Sequence, residues 1–464
     1  MNKSFLRQAF LVIVLIQILA ACKVTQTYKR PDVKTQDLYR GVTGTDTNTL
    51  ADLPWRTLFP DTTLQHLIEE GLANNLDLKT AVARIKVAEA NLYQARMAFF
   101  PAVTGNAIAT KAKIPSVPSS ATGFASQQFQ LYVNASWEAD LWGKLSSAKK
   151  AYIAALLQSE AYRRAVQTQL IANIANNYYL LLSYDAQLKI TQQTVQYWVD
   201  NVATMKLLKE AAIVTGAAVV QSEASQYAAE TTIPTLKQNI RETENALSIL
   251  LGKAPGAINR TTMEAQTTID SLPTGISAQL LSHRPDVQQA EYAYVNAFEL
   301  TNSARAYFYP TLTLTANGGL SNVIFSSLFS SASIFGNIAA GLAQPIFNRG
   351  LNTVRLRTYQ AQQEQALYSF QSTLFTAGQE VSNALFAYET ATERARIRQN
   401  QLTALVKSVD YTRELLKYSS ANYTEVLVAQ QSLLSAQLSS VNDRLQQLQS
   451  VVNLYRALGG GWRQ

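Results

Sequence analysis

No glycine or proline interrupts the sequence from Lys144 to Thr215, and this stretch constrains the fold more than any other feature. Its residues are good helix formers, so it predicts one continuous helix. At about 1.5 Å rise per residue, that helix would be roughly 110 Å long, far longer than a compact domain needs. A second stretch, Leu351 to Leu458, contains only Gly378 as a breaker. Two helices of this length are not expected in a protein built around an enzyme pocket.

The composition fits long helices with weakly charged surfaces. The chain has 464 residues, of which 12 are proline, 19 are glycine and 16% are charged. The net charge of +8 is scattered along the chain. No run of Lys and Arg with interleaved aromatic residues indicates a nucleic-acid groove, so we expect no nucleic-acid partner.

The amino terminus has the pattern of a secretory signal. Lys3 and Arg7 precede the apolar run Ala9 to Leu19, which is too short to span a bilayer as a permanent helix. The run ends in Leu19-Ala20-Ala21-Cys22, which resembles the lipobox of bacterial lipoproteins. That resemblance implies cleavage before Cys22, lipidation of Cys22 (palmitate included) and sorting to the outer membrane. The alternative is an ordinary signal peptide with an incidental cysteine.

The same order of elements is predicted twice. Asp77, Ala81, Ala88 and four later positions up to Pro101 recur as identical residues at one constant offset, from Asp286 to Pro310. We therefore predict a mainly α chain with two internal repeats, each a helix, a strand pair and a long α-helical hairpin. The predicted segments are a signal peptide (1–21), an extended lead (22–60), repeat 1 (61–252), a linker (253–275), repeat 2 (276–459) and a tail (460–464). The strand pairs are expected within 101–142 and 310–347, and the hairpins over 144–251 and 351–458.

The predicted strands have the length and alternation of membrane-spanning strands. In Gln128 to Trp142, apolar and polar side chains fall on opposite faces. An open sheet edge is costly in lipid, and four strands cannot close a barrel, so we expect a ring of chains. Three chains give twelve strands and an open lumen, continued by a hollow α-helical barrel. The alternative is a soluble β-hairpin domain on coiled coils.

Seven motifs follow one another in a specific order along the chain. They are Tyr28-Lys29-Arg30-Pro31 after the lipobox, Ala73-Asn74-Asn75-Leu76-Asp77-Leu78, Phe99-Phe100-Pro101, Trp137-Glu138-Ala139-Asp140-Leu141-Trp142-Gly143, Arg284-Pro285-Asp286 with Ala290-Glu291, Phe308-Tyr309-Pro310 and Gln344-Pro345-Ile346-Phe347. Together they resemble the TolC-like outer-membrane efflux factors, in the lipidated branch that serves resistance-nodulation-division pumps. The likeness covers essentially all of the mature chain.

The resemblance implies a homotrimer with a twelve-stranded β-barrel in the outer membrane and an α-helical barrel in the periplasm. An equatorial belt would draw on the lead, the linker and the tail. The duct would be passive and would export drugs, detergents or cations, as in multidrug resistance. An inner-membrane efflux transporter would supply the energy, and a periplasmic adaptor would join the two.

No catalytic or metal site is predicted, and the only expected cofactor is the lipid on Cys22. The two histidines, His66 and His283, are far apart in the repeat pattern. Glu138 and Asp140 are expected to point from one strand toward a polar lumen, as a solvated face. The four methionines form no cluster that would indicate copper export.

The resemblance places the functional residues where the hairpins turn. Glu425 matches one carboxylate of the family's periplasmic gate, whereas Val428 occupies the position of the second. Because three symmetry-related carboxylates repel one another, such a ring is a physical gate with a preference for cations. The gate residues implied are Glu425 with Asp410, Arg413, Glu414 and Tyr418; alternatively these are ordinary exposed helix charges.

The candidate adaptor contacts are also at the two turns. The first turn, near Thr215, Gly216 and Ala217, keeps its glycine. The second turn lacks the family's glycine and is about two residues short; its candidate contacts are Ser420, Ala421 and Asn422. Two rival functions stay open from the sequence: an outer-membrane duct for protein secretion, and a coiled-coil structural lipoprotein without a pore.

Overall fold

The structure is a computed structural model that describes residues 24–33, 38–40, 49–111, 127–267, 273, 275, 279–418 and 423–463. Cys22 with the predicted signal peptide, and the turn residues Ser420, Ala421 and Asn422, lie outside them. The chain divides into two compact units, each drawn from three segments. The first comprises described residues of Met1–Asp32, Arg84–Ser159 and Gln289–Phe370, and the second those of Val33–Ala83, Glu160–Gln288 and Gln371–Gln464.

The described elements confirm the predicted fold class, two repeats of helix, strand pair and long helical hairpin. The first repeat contains α1 (Thr62–Asn74), α2 (Leu76–Met97), β1 (Ala102–Lys111), β2 (Gln127–Ala139), α3 (Lys144–Glu210), α4 (Gly216–Glu230) and α5 (Thr232–Leu250). The second contains α6 (Pro285–Ala306), β3 (Thr311–Asn322), β4 (Ile334–Ala343), α7 (Leu351–Lys417) and α8 (Tyr423–Ala457). Short helical turns lie at Leu50–Asp52, Trp55–Leu58, Met263–Ala265, Leu280–His283, Phe325–Ser327 and Ser331–Ser333.

The long helices α3 and α7 each contain 67 residues, so each is about 100 Å long. The prediction of a helix reaching Thr215 was wrong, because α3 ends at Glu210. The described helices include none that is both long enough and apolar enough to cross a bilayer.

Two helices predicted as continuous are broken. The first breaks at Asn75, whose side chain accepts a hydrogen bond from Leu78 N (2.9 Å) and donates one to Leu250 O (2.9 Å). Asn75 thereby acts as the N-cap of α2. The return helix of the first hairpin breaks at Thr231, because the ring of Pro234 would clash with the carbonyl of Glu230 in an unbroken helix.

The first unit contains one antiparallel sheet in the order β1-β2-β3-β4. The register pairs Ala102 with Ser136, Ala139 with Leu312, and Leu320 with Ile334. This register places mostly apolar side chains on one face and amides and hydroxyls on the other. Much of the apolar face is exposed in the chain, as at Val103, Leu131, Val133, Leu314, Ile338 and Leu342.

Tryptophan side chains support the two places where the chain passes from a helix into the sheet. Trp137 Nε1 donates to Phe99 O (2.8 Å), and Trp142 Nε1 donates to Pro310 O (2.7 Å). Each carbonyl belongs to a Phe-aromatic-Pro segment that precedes a strand, so Trp137 supports the entry to β1 and Trp142 supports the entry to β3. The second strand of each pair was predicted to end too late, at Trp142 instead of Ala139 for β2 and at Phe347 instead of Ala343 for β4. Pro345 explains the early end of β4, because proline cannot donate a ladder hydrogen bond.

The predicted solvated acid pair on β2 was wrong. Asp140 lies beyond the strand, and its carboxylate accepts hydrogen bonds from Leu145 N (2.9 Å), Ser146 N (2.8 Å) and Ser146 Oγ (2.5 Å). It therefore caps the amino terminus of α3, where a negative charge is favourable. Glu138 remains on the polar face of β2 and forms a salt bridge with Lys144.

In the second unit, the lead contacts both the linker and the tail. Leu50 N of the lead donates to Pro273 O of the linker (2.8 Å), and Asp52 binds Arg463 Nη1 of the tail (2.9 Å). His283 at the start of repeat 2 also contacts both ends, because its Nε2 binds Asp52 (3.1 Å) and its carbonyl accepts from Trp462 Nε1 (2.9 Å). An equatorial belt of all three segments stays a prediction.

The Arg-Pro-Asp motif joins three helices of this unit. The Arg284 side chain is 5% exposed and binds Asp286 (2.5 Å), Glu380 (2.7 Å) and the carbonyl of Ala457 (2.9 Å). Burial acts to raise the pKa of Asp286, but the hydrogen bond and charge of Arg284 outweigh it and hold that pKa below its usual value. This stabilisation is present at neutral pH and is lost as the pH falls through the lowered pKa.

Gly378 lies inside α7 and does not interrupt the predicted long helix. A Cβ at this position would lie 2.8 Å from Leu38 O and 3.0 Å from Leu38 Cβ. The glycine is therefore needed where the backbone of the lead crosses the helix, and its helical conformation is ordinary.

We predict that Gly378→Ala lowers the thermal midpoint of the folded protein. Overpacking costs about 1–3 kcal/mol, which exceeds the gain of about 1 kcal/mol in helix propensity. Gly216→Ala is the matched control, because the nearest atom to a Cβ there is Lys209 Cε at 3.8 Å. A midpoint raised by Gly378→Ala in circular dichroism melts would contradict this role of the glycine at the crossing.

Candidate functional site

The end of the first hairpin turns at an alanine. Ala212 has φ +58°, and the N–H of Ile213 binds Leu208 O (2.9 Å) while that of Ala212 binds Lys209 O (3.0 Å). These two bonds satisfy the last carbonyls of α3 in the arrangement usual for a glycine at this position. The expectation that Gly216 supplies the turn was wrong: Gly216 is the first residue of α4, after Thr215 as N-cap.

The end of the second hairpin places Glu425 in the first turn of α8. Its side chain is exposed, and its negative charge is favourable next to the helix amino terminus. Tyr418 directly follows α7 and is 72% exposed.

A buried cluster joins the two hairpins close to their ends. It consists of Trp198, Met205, Val219, Ala229, Tyr423 and Leu427. The Tyr423 hydroxyl lies 2.6 Å from Ser222 Oγ and donates to Asn201 Oδ1 (2.5 Å). Burial raises the pKa of Tyr423, so the hydroxyl stays protonated and able to donate.

Beside this cluster, α7 also contacts α3. The Arg413 guanidinium lies 4.6 Å from the centroid of the Tyr197 ring, a cation–π contact. A cavity of about 260 Å³ lies between α3, α7 and α8, and Asp410, Arg413 and Tyr197 are among its lining residues. Two of the predicted gate residues thus share one cavity wall.

A larger groove of about 680 Å³ lies between the two hairpin ends. Its lining combines residues of the first turn with the start of α8. Thr215 and Ala217 contribute from one side, and Thr424, Leu427 and Val428 from the other. Val428 is 56% exposed.

The structure brings together some predicted site residues and separates others. Thr215 and Ala217 share the groove, and Asp410 and Arg413 share the smaller cavity. Glu425 lines neither of these two cavities. Asp410, Arg413, Glu414 and Glu425 all have exposed side chains.

Sequence reasoning missed Tyr423, Ser222 and Asn201 as members of this site. Tyr423 ended the predicted second turn, and Ser222 and Asn201 lay within long helices. The signal available was the buried spacing of Tyr423, Val426 and Leu427 on one helix face. That spacing indicates a buried face but does not identify the partner, which is about 200 residues away in the sequence. Among the described side chains, no group of three or more His, Cys, Asp or Glu could hold a metal ion.

Comparison with known proteins identifies a family whose model matches both repeats of this chain. The family model described as outer membrane efflux protein matches residues 67–253 and 276–460. The probable efflux pump outer membrane protein TtgC of Pseudomonas putida is 29% identical over 470 residues, covering 100% of this chain and 96% of the relative. The cation efflux system protein CusC of Escherichia coli K12 is 28% identical over 457 residues, covering 96% of this chain and 97% of the relative.

Solved outer-membrane channels have the same fold. The chain of the outer-membrane channel OprN superposes with a TM-score of 0.88 at 25% identity, covering 95% of this chain and 100% of that chain. The open state of the MtrE outer membrane channel of Neisseria gonorrhoeae superposes with a TM-score of 0.85 at 25% identity, covering 95% of this chain and 99% of that chain. Since the family model matches both repeats, this chain belongs to the outer membrane efflux protein family.

Proposed function

We propose that this protein is the outer-membrane exit duct of a tripartite efflux pump, through which small molecules leave the cell passively. The observation that carries this function is one sheet with an exposed apolar face on a chain that also forms two hairpins with helices of 67 residues. The protein is a duct and not an enzyme. Relatives named for toluene and cation efflux support small molecules as the cargo.

The duct is a homotrimer. Strands β1 and β4 form the two edges of the sheet, and the edge groups need partners in lipid. Three chains supply twelve strands, enough for a barrel with an open lumen, with the apolar face toward lipid. Their six helical hairpins form the α-helical barrel on the periplasmic side.

A periplasmic adaptor docks at the hairpin ends and connects the duct to an inner-membrane efflux transporter. The groove lined by Thr215, Ala217 and Val428 supports this assignment, because it is partly apolar and lies between two turns. Gly216, Ser420, Ala421 and Asn422 belong to the same proposed contact. The apolar residue at Val428 makes this surface less acidic than a second carboxylate would.

The periplasmic gate is formed by Glu425, with contributions from Asp410, Arg413, Glu414 and Tyr418. Three copies of Glu425 near a three-fold axis repel one another unless a cation or proton compensates them. The contacts of Tyr423 and Arg413 with the first hairpin hold the second hairpin in place.

A lipid on Cys22 anchors the mature chain in the outer membrane. Gln26, four residues later, exchanges two hydrogen bonds with Asn302 (3.0 and 2.9 Å). Arg30 forms a bidentate pair with Glu291 (2.6 and 2.8 Å). These contacts support an anchor near α6, within the same unit as the sheet.

The first test is a gene deletion in a strain that lacks other outer-membrane efflux proteins. We predict higher sensitivity to solvents, drugs, detergents or metal cations, because no other duct would carry the exported solutes. Wild-type protein restores resistance. Unchanged sensitivity to all four classes, in cells that otherwise express the complete pump, would contradict the efflux function.

The second test addresses the gate. We predict that Glu425→Gln raises the resting conductance of the purified protein in planar bilayers and weakens its dependence on divalent cations. A cation bound by the three carboxylates holds the closed ring together, and the neutral amides cannot bind that cation. Glu393→Gln is the control for an exposed carboxylate of α7 outside the hairpin end. An unaltered conductance would show that Glu425 does not line the constriction.

The third test addresses the link between the hairpins. We predict that Tyr423→Phe raises the resting conductance but leaves the divalent dependence intact. The lost hydroxyl leaves buried partners unsatisfied, at a cost of about 1–3 kcal/mol. The control is Tyr411→Phe, whose side chain is 66% exposed on α7. A folded Tyr423→Phe channel with wild-type conductance would show that this link does not hold the gate.

A further inference from the structure

The polar face of the sheet has almost no charge. Of all the residues in β1 to β4, only Lys111 and Glu138 are ionisable at neutral pH. Lys111 is the last residue of β1 and falls on the apolar face by register. Glu138 forms its salt bridge with Lys144. The rest of this face presents amides, hydroxyls and aromatic rings, together with Ile108 and small residues at its ends and on β4.

Three amides form one row across this face. The register places Asn134 opposite Asn317 and Asn317 opposite Asn337, with Thr104 opposite Asn134 on the edge strand. Asn134 Nδ2 donates to Asn317 Oδ1 (2.6 Å), which joins the strands of the two repeats. Each amide retains both donor and acceptor capacity for a passing solute or water.

An aromatic row lies next to the amide row. Tyr132 and Phe335 are on either side of Gly319, with ring centroids 6.2 Å apart. A Cβ at Gly319 would lie 2.2 Å from Leu131 O and 2.6 Å from Tyr132 Cβ, so only glycine fits against the backbone of β2 beside the tyrosine. An aromatic side chain covering a glycine on the neighbouring strand is a recognised way to stabilise a sheet.

We propose that these two rows line the lumen of the assembled sheet as an uncharged amide and aromatic belt. This inference rests on the proposed trimeric duct. Charge rings give channels their preference for one sign of ion, and this part of the lumen has none. The belt accepts cationic, anionic and neutral solutes alike, including those with aromatic groups, and selection by charge is left to the helical hairpin ends.

The test uses single cysteines and charged, water-soluble methanethiosulfonate reagents on single channels in planar bilayers. In Asn317→Cys channels, a cationic reagent moves the reversal potential toward anion selectivity, and an anionic reagent moves it toward cation selectivity. Asn337→Cys, at an exposed position of β4, is the second variant in case Asn317→Cys does not fold. Ala316→Cys is the matched control, since it is adjacent on β3 but on the opposite face.

We expect the reversal potential to shift in both asparagine variants and to stay constant in Ala316→Cys and in the wild type. If the asparagine variants conduct but neither reagent shifts their reversal potential, the proposed belt is wrong and the proposed duct stands. Equal shifts of the reversal potential in Ala316→Cys would show that the lumen-facing side of the sheet has been assigned wrongly. A folded wild-type protein without conductance would overturn the proposed duct and the belt with it.

Discussion

The sheet edges are the constraint on which this architecture depends. β1 and β4 border a four-stranded sheet whose apolar face is exposed on the single chain. In lipid each unpaired backbone group costs several kcal/mol, so the edges require other strands. Pairing with further copies satisfies the edges and encloses the uncharged polar face. The proposed trimeric duct accounts for both faces and both edges of the sheet.

Specific polar contacts hold the helical hairpins both along their length and near their ends. Along the length, Asn176 of α3 binds Asn453 of α8 and Arg398 of α7 binds Asp443 of α8. Tyr423, Ser222 and Asn201 connect the second hairpin to the first, and the Arg284 network connects three helices elsewhere in the second unit. These sites hold elements in place, and the exposed side chains near the turns remain available for the proposed gate and adaptor.

The sequence predicted the repeat, the element order and two long helices, each of which has 67 residues in the structure, because helix formers without breakers and alternating strands are local signals. It did not predict that α3 ends before Thr215, that Ala212 adopts a conformation usually left to glycine, or that Asp140 caps a helix. The reason for glycine at position 378 required coordinates, because it depends on the backbone of the lead. Pro234 was a local signal for the helix break and was overlooked. Glu425 was proposed from a motif, whereas the partners of Tyr423 required coordinates, since about 200 residues separate them in sequence.

Native mass spectrometry of the protein in lipid nanodiscs tests the central claim most directly, because it counts the chains that close the sheet. We expect a single species of three chains, with no stable monomer or dimer, since fewer than three chains do not give twelve strands and an open lumen. A well-folded monomer or dimer as the main species in lipid would contradict the trimeric duct.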